Sequence, residues 1–142
     1  MYRISKEFSF SMGHRLSYHE GLCKNFHGHN YTVMIGLKSQ TLNPNGMVMD
    51  FADIKAIGDH YFKQFDHAMM INRRDHNPFM ALQTKMPFLK VVEVDYEPTA
   101  ENMARDIYEY FVKELEKYGG TASMDYINIY ETDRSQASYS ID

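Results

Sequence analysis

Between Cys23 and Lys38 the chain carries two constraints at once. Tyr31-Thr32-Val33-Met34-Ile35-Gly36-Leu37-Lys38 puts apolar residues at 31, 33, 35 and 37 against a mixed opposite face. That period of two is what a strand covered on one side imposes. Immediately before it stands His27-Gly28-His29. Side chains two apart on extended backbone project the same way, so both imidazoles are aimed at one point. Neutral imidazole is the commonest metal-binding side chain, and two rings on adjacent backbone make half of a zinc site. Cys23, four residues upstream of His27, is close enough to share the pocket. With seven histidines in 142 residues, one His-x-His pair is a weak motif by itself. A third, remote ligand at a strand end is required.

The N-terminus supplies a candidate. Tyr2, Ile4, Phe8, Phe10 and Met12 alternate with Arg3, Ser5, Glu7, Ser9 and Ser11, broken only by Lys6, which predicts a long first strand. His14 lies just past it and shares the parity of Phe10 and Met12, so it points inward. A buried imidazole without a partner is costly. His14 is therefore the expected third ligand.

Residues 15–26 read as the loop between the first two strands. His19-Glu20 opens like a zinc-protease helix, but the second histidine is missing and Gly21 interrupts it, so His19 is expected in solvent. After the turn Asn43-Pro44-Asn45-Gly46, Asp50 is a plausible N-cap. Phe51, Ile54, Ile57, Tyr61, Phe62 and Phe65 then recur at three and four residues, one face of a helix. His60 falls on its polar side. Asp66-His67 closes that helix, either as a surface pair or as an acid/base unit, since a carboxylate moves an imidazole across neutral pH.

Residues 73–87 look like an excursion with at most a short helical piece, and residues 88–94 like a brief accessory strand. Pro98-Thr99 opens a second helix that buries Met103, Ala104, Ile107, Tyr108, Phe111 and Leu115 and stops at Gly119-Gly120. Residues 124–132 form another strand with Ile127, Ile129 and Glu131 on one face. A carboxylate there needs either a ligand that offers N–H donors or a strand end open to solvent. Ala137, Tyr139 and Ile141 suggest a short last strand.

These elements predict an α+β fold: a four-stranded antiparallel sheet with two helices packed on one face, in a single domain over residues 1–142. Two open sheet edges favour pairing with further copies. A net charge of −4 and the lack of a Lys/Arg cluster on a helix face argue against nucleic acid as a partner. No apolar run approaches a membrane span and no secretory core opens the chain. One cysteine excludes an internal disulfide and suits a reducing compartment, so the cytoplasm is the expected location.

Six segments together resemble a known family: Phe10-Ser11-Met12-Gly13-His14-Arg15-Leu16, Cys23 through Tyr31, Met49-Asp50-Phe51, Asp66-His67, Pro98-Thr99-Ala100-Glu101-Asn102 and Tyr130-Glu131-Thr132. In this order and spacing they resemble the 6-pyruvoyltetrahydropterin synthase family. The match is nearest to its 6-carboxytetrahydropterin synthase branch, which has the same three residues between the cysteine and the His-Gly-His pair.

The resemblance implies a tunnelling (T) fold, in which trimers close their sheets into a barrel and two trimers stack into a homohexamer. It implies Zn2+ on His14, His27 and His29, Cys23 as general base, and Asp66 and His67 as relay partners across a subunit interface. Glu131 would accept N–H bonds from a pterin ring, with Thr99 nearby, and share in the relay. The substrate would be 7,8-dihydroneopterin triphosphate. Arg15, Lys24, Arg73 and Arg74 are the candidates for holding its phosphates. Two alternatives stay open here: the pyruvoyl reaction on the same substrate, and a non-enzymatic zinc-binding assembly protein in which Cys23 closes the coordination shell.

Overall fold

The computed structural model describes residues 1–75 and 83–142, so the centre of the expected 73–87 excursion lies outside the described residues. Strand β1 (Tyr2–His14) and strand β2 (His27–Ser39) form a long antiparallel pair, in register from Tyr2 opposite Ser39 to His14 opposite His27. Helix α1 (Phe51–Phe62) follows, capped by Asp50, whose carboxylate accepts the Ala52 N–H at 2.8 Å. Strands β3 (Ala68–Asn72) and β4 (Val91–Val94) come next. Helix α2 (Ala100–Tyr118) begins at Thr99, whose hydroxyl accepts the Asn102 N–H at 3.2 Å, and ends at Gly119 with φ 80°. Strands β5 (Ser123–Thr132) and β6 (Ser135–Tyr139) complete the chain.

The sheet has six strands, not the expected four, in the order β4-β3-β1-β2-β5-β6. Nor is it wholly antiparallel: β3 runs parallel to β1, and β4 parallel to β3. The missed strand is Ala68-Met69-Met70-Ile71-Asn72, four of its five residues buried. A short apolar run covered on both faces shows no alternation, so periodicity cannot separate it from a helix end. Other boundaries move by a few residues. The first helix stops at Phe62, although Phe65 stays buried, and the last strand runs from 135 to 139, leaving Ile141 exposed.

Both helices cover one face of the sheet, as expected. Phe8, Phe10, Tyr31, Val33, Ile35, Ile127 and Ile129 meet Ile54, Tyr61, Phe62, Met103, Ile107 and Phe111 in a single apolar cluster. Phe10 stacks on Tyr31 at 5.0 Å and Phe8 meets Phe62 at 5.2 Å, which ties the β1–β2 pair to α1. Tyr61 lies 4.6 Å from Tyr110 and donates to Asp106 at 2.5 Å, which ties the two helices together. No helix among the described residues is long and apolar enough to cross a membrane.

Gly58 lets α1 sit on the sheet. A Cβ at this position would come within 2.2 Å of the Phe8 ring. Alanine normally helps a helix by about 1 kcal/mol over glycine, but overpacking a filled core costs about 1–3 kcal/mol. Gly58→Ala is therefore expected to lower stability, read as a lower urea midpoint at unchanged slope.

Candidate active site

Strand parity and register build the first part of the site. Met12 and His14 face the helices on β1, as His27, His29 and Tyr31 do on β2. The register sets His14 opposite His27 and Met12 opposite His29. Three imidazoles thus gather where the strand pair ends, with ring centroids 4.6, 5.1 and 5.0 Å apart. One ring nitrogen of each lies within 4.8 Å of the others.

Hydrogen bonds around the rings decide which nitrogens remain. His14 Nδ1 lies 2.7 Å from the Pro98 carbonyl and His27 Nδ1 lies 2.7 Å from the Asn25 carbonyl. A carbonyl only accepts, so both Nδ1 atoms carry their protons. The two Nε2 atoms, 3.1 Å apart, then turn lone pairs toward each other. His29 Nε2 is buried without a hydrogen-bond partner among the described residues. Two facing lone pairs beside a third, unpartnered ring nitrogen are destabilising unless a positive charge sits between them, and a backbone carbonyl on the far nitrogen is the usual outer support of a metal-binding histidine. The donor set fits a divalent metal that accepts imidazole.

Burial reinforces the neutral state. His14 is 1% exposed, and burial pulls its pKa down to about 4; the Pro98 carbonyl works the other way, and His27 and His29 lower it further. Burial also lowers His29, against the carboxylate of Glu131. Neutral imidazoles are the form a metal needs. One consequence concerns the metal-free protein. His14 resists protonation until about pH 4 when folded but titrates near 6.5 when unfolded, so the unfolded state binds the extra proton within that window. Stability should therefore fall as pH drops from 6.5 to 4, by on the order of 3 kcal/mol from this group at ~1.4 kcal/mol per pKa unit. Urea denaturation of chelator-treated protein across that range checks the sign and size.

A cavity of about 180 Å³ adjoins this corner, lined by Leu16, Thr99, Ala100, Glu101, Glu131, Ser135 and Gln136. Glu131 belongs to both places, since its Oε2 lies 3.8 Å from His29 Nε2. It follows the fully buried Ile127 and Ile129 on the same face of β5, as expected. The Tyr31 hydroxyl lies 3.4 Å from His14 Nδ1, and burial with the nearby Glu131 charge raises its pKa, keeping it protonated. Cavity, carboxylate and hydroxyls together suit a flat heterocycle rich in N–H groups.

Cys23 sits half-buried in a single turn of 3₁₀ helix, Leu22–Lys24. Its sulfur is not one of the clustered ligand atoms. Asp66 and His67 are joined to each other, Oδ2 to Nδ1 at 3.0 Å. The Ser11 N–H, 2.9 Å from Asp66 Oδ1, holds that carboxyl below its ordinary range against the opposing effect of burial, with His67 and Lys90 adding to the lowering. Lys90 Nζ also donates to the Lys63 and Asp66 carbonyls at 2.6 and 2.7 Å. His67 adopts φ 61°, a left-handed conformation that non-glycine residues seldom take.

His67 opens onto a second cavity, of about 350 Å³, which it shares with Ser11, Met12, Gly28, His29 and Asn30. His29 therefore stands between the two cavities, lining this one and lying beside Glu131 of the other. Within one protomer the structure gathers the three histidines, Glu131 and Thr99, and brings His67 to a cavity that His29 also lines, outside the clustered ligand atoms.

Of the phosphate candidates, Arg15 is engaged by Asp75 at 2.8 and 3.1 Å, and Arg73 pairs with Asp95. Lys24 and Arg74 are exposed, as are His19 and His60. The Pro98 and Asn25 carbonyls that set the histidine tautomers were not anticipated, because a backbone carbonyl has no signature in sequence.

A T-fold sheet with a three-histidine corner beside a small polar cavity defines the class. The model of the family described as 6-pyruvoyl tetrahydropterin synthase matches residues 3–142. The chain belongs to that family, and it is an enzyme of the pterin-synthase type. It is similar to 6-carboxy-5,6,7,8-tetrahydropterin synthase of Haemophilus influenzae, 33% identical over 98% of this chain and 99% of that one. To the protein of the same name from Aquifex aeolicus it is 31% identical, covering 97% of each. Among solved structures it overlays an uncharacterized Wolinella succinogenes protein at TM-score 0.83 and 24% identity, covering 97% of both chains. It overlays a catalytic-residue mutant of Plasmodium vivax 6-pyruvoyltetrahydropterin synthase at 0.73 and 19%, covering 97% and 96%. At these identities the structural likeness establishes the fold.

Proposed function

We propose that this protein is a zinc-dependent lyase that converts 7,8-dihydroneopterin triphosphate to 6-carboxy-5,6,7,8-tetrahydropterin, releasing acetaldehyde and triphosphate, in 7-deazaguanine (queuosine) biosynthesis. The carrying observation is the set of three inward-facing imidazole nitrogens, one buried without a partner, beside the cavity that Glu131 shares. Two full-length relatives bearing the 6-carboxytetrahydropterin synthase name support the carboxy product, as does the three-residue spacing between Cys23 and His27. The pyruvoyl reaction, which the family description names, is the second reading.

His14, His27 and His29 would hold the metal. Bound there, zinc would supply Lewis acidity toward the oxygens of the substrate side chain. Glu131 accepts the ring N–H bonds and orients the pterin, with Thr99 at the cavity wall. Cys23 takes the proton from the substrate side chain. Asp66 and His67, already paired at 3.0 Å, relay it from a neighbouring subunit of a cytoplasmic homohexamer.

Incubation with 7,8-dihydroneopterin triphosphate tests the reading. Acetaldehyde together with a carboxylated tetrahydropterin by mass supports it; triphosphate release without acetaldehyde assigns the pyruvoyl reaction instead. Glu131→Gln swaps two acceptor positions for one and removes the charge. A hydrogen bond to a charged group is worth roughly 1.5–3 kcal/mol, so kcat/KM should fall by about 10- to 100-fold. Retained metal content would show that the loss lies in ring binding.

A further inference from the structure

We infer that Glu97 is a positioning residue for Cys23, fixing the thiol-bearing loop to the same backbone that orients the histidine cluster. Residues 15–26 join β1 to β2 with nothing but one 3₁₀ turn of regular structure. Such a loop holds a side chain in one place only where it is anchored.

Two anchors are present. The Leu16 N–H donates to the Cys23 carbonyl at 2.8 Å, closing the loop on itself. The next residue, Ser17, donates twice to one oxygen of Glu97: its N–H reaches Oε1 at 3.1 Å, and its hydroxyl bonds the same atom. A shift of Ser17 therefore passes to Cys23 through a single residue.

Glu97 is itself held from 80 residues away in the chain. Its carbonyl accepts from the Thr99 N–H at 2.7 Å and from Asn102 Nδ2 at 3.0 Å, at the start of α2. The adjacent Pro98 carbonyl accepts the hydrogen bond from His14 Nδ1–H. The cysteine loop and a histidine of the cluster thus share one short segment as their reference.

The other carboxylate oxygen shows how Glu97 acts. Oε2 is buried and has no hydrogen-bond partner among the described residues. Among the described residues its side chain bonds through Oε1, as an acceptor of two hydrogens. Glutamine keeps such an oxygen, so an anchor tolerates Glu97→Gln, whereas a group that exchanges protons with substrate does not.

The use of the thiol in turnover rests on the function proposed above, but its placement is measurable without turnover. Cys23 is the only cysteine in the chain, so the rate of reaction with 5,5′-dithiobis(2-nitrobenzoate) in zinc-loaded protein reports on it alone. Glu97→Ala and Ser17→Ala should each raise that rate about tenfold, the scale of losing a hydrogen bond to a charged group. The double variant should add little to either one. Metal content should stay at the wild-type level, kcat should fall more than KM changes, and Glu97→Gln should label at close to the wild-type rate. Unchanged labelling in both alanine variants, or Glu97→Gln behaving like Glu97→Ala, overturns the inference. Failure of every variant and the wild type to turn over pterin substrate, with this labelling pattern intact, would count against the proposed reaction while upholding the anchor.

Discussion

His27→Ala is expected to remove both bound metal and turnover. His27 Nε2 is one of three nitrogens converging on a single point, and its ring is oriented by the Asn25 carbonyl. Deleting even an outer hydrogen-bond partner of a metal ligand costs about 10- to 100-fold in affinity. Deleting the ligand itself should cost more than about 100-fold, leaving two imidazoles that lose metal on gel filtration. The fold should persist, because the ring lies at the end of β2, half-buried and outside the apolar cluster. Metal analysis beside circular dichroism checks both halves. Wild-type metal content in a folded His27→Ala variant would remove this cluster as the metal site.

Cys23→Ala should separate what His27→Ala loses together. The sulfur is not among the clustered ligand atoms, so metal content should match the wild type. Loss of a positioned general base typically costs about 10²- to 10⁴-fold, and kcat should fall within that range while substrate still binds. The opposite outcome, a variant that loses its metal, would mean that the thiol closes the coordination shell. The site would then be structural rather than catalytic.

Much of the candidate site was legible because strand parity is a local property. Met12 to His14 and His27 to Tyr31 each declare a face through a period of two, and that is enough to bring His14 toward His27 and His29. Glu131 followed from Ile127 and Ile129 by the same rule. The caps Asp50 and Thr99 were equally local, since a side-chain oxygen there meets N–H groups only two or three residues on.

Other features depended on partners far away in sequence. Ala68–Asn72 is covered on both faces and carries no period, so its place beside β1 could not be read. Arg15 reads as a free cation until Asp75 meets it, and Glu97 as an ordinary acid until Ser17 does.

The amino-acid order by itself determined which side chains share a face, where both helices begin, and that three imidazoles can converge. Tertiary structure alone decided the order of the six strands, the carbonyls that set the histidine tautomers, and the docking of Asp66–His67 on the backbone of Ser11. The physical reason is the reach of each interaction. Periodicity and capping act within one turn or one strand, whereas backbone acceptors and strand neighbours exist only once distant segments have met.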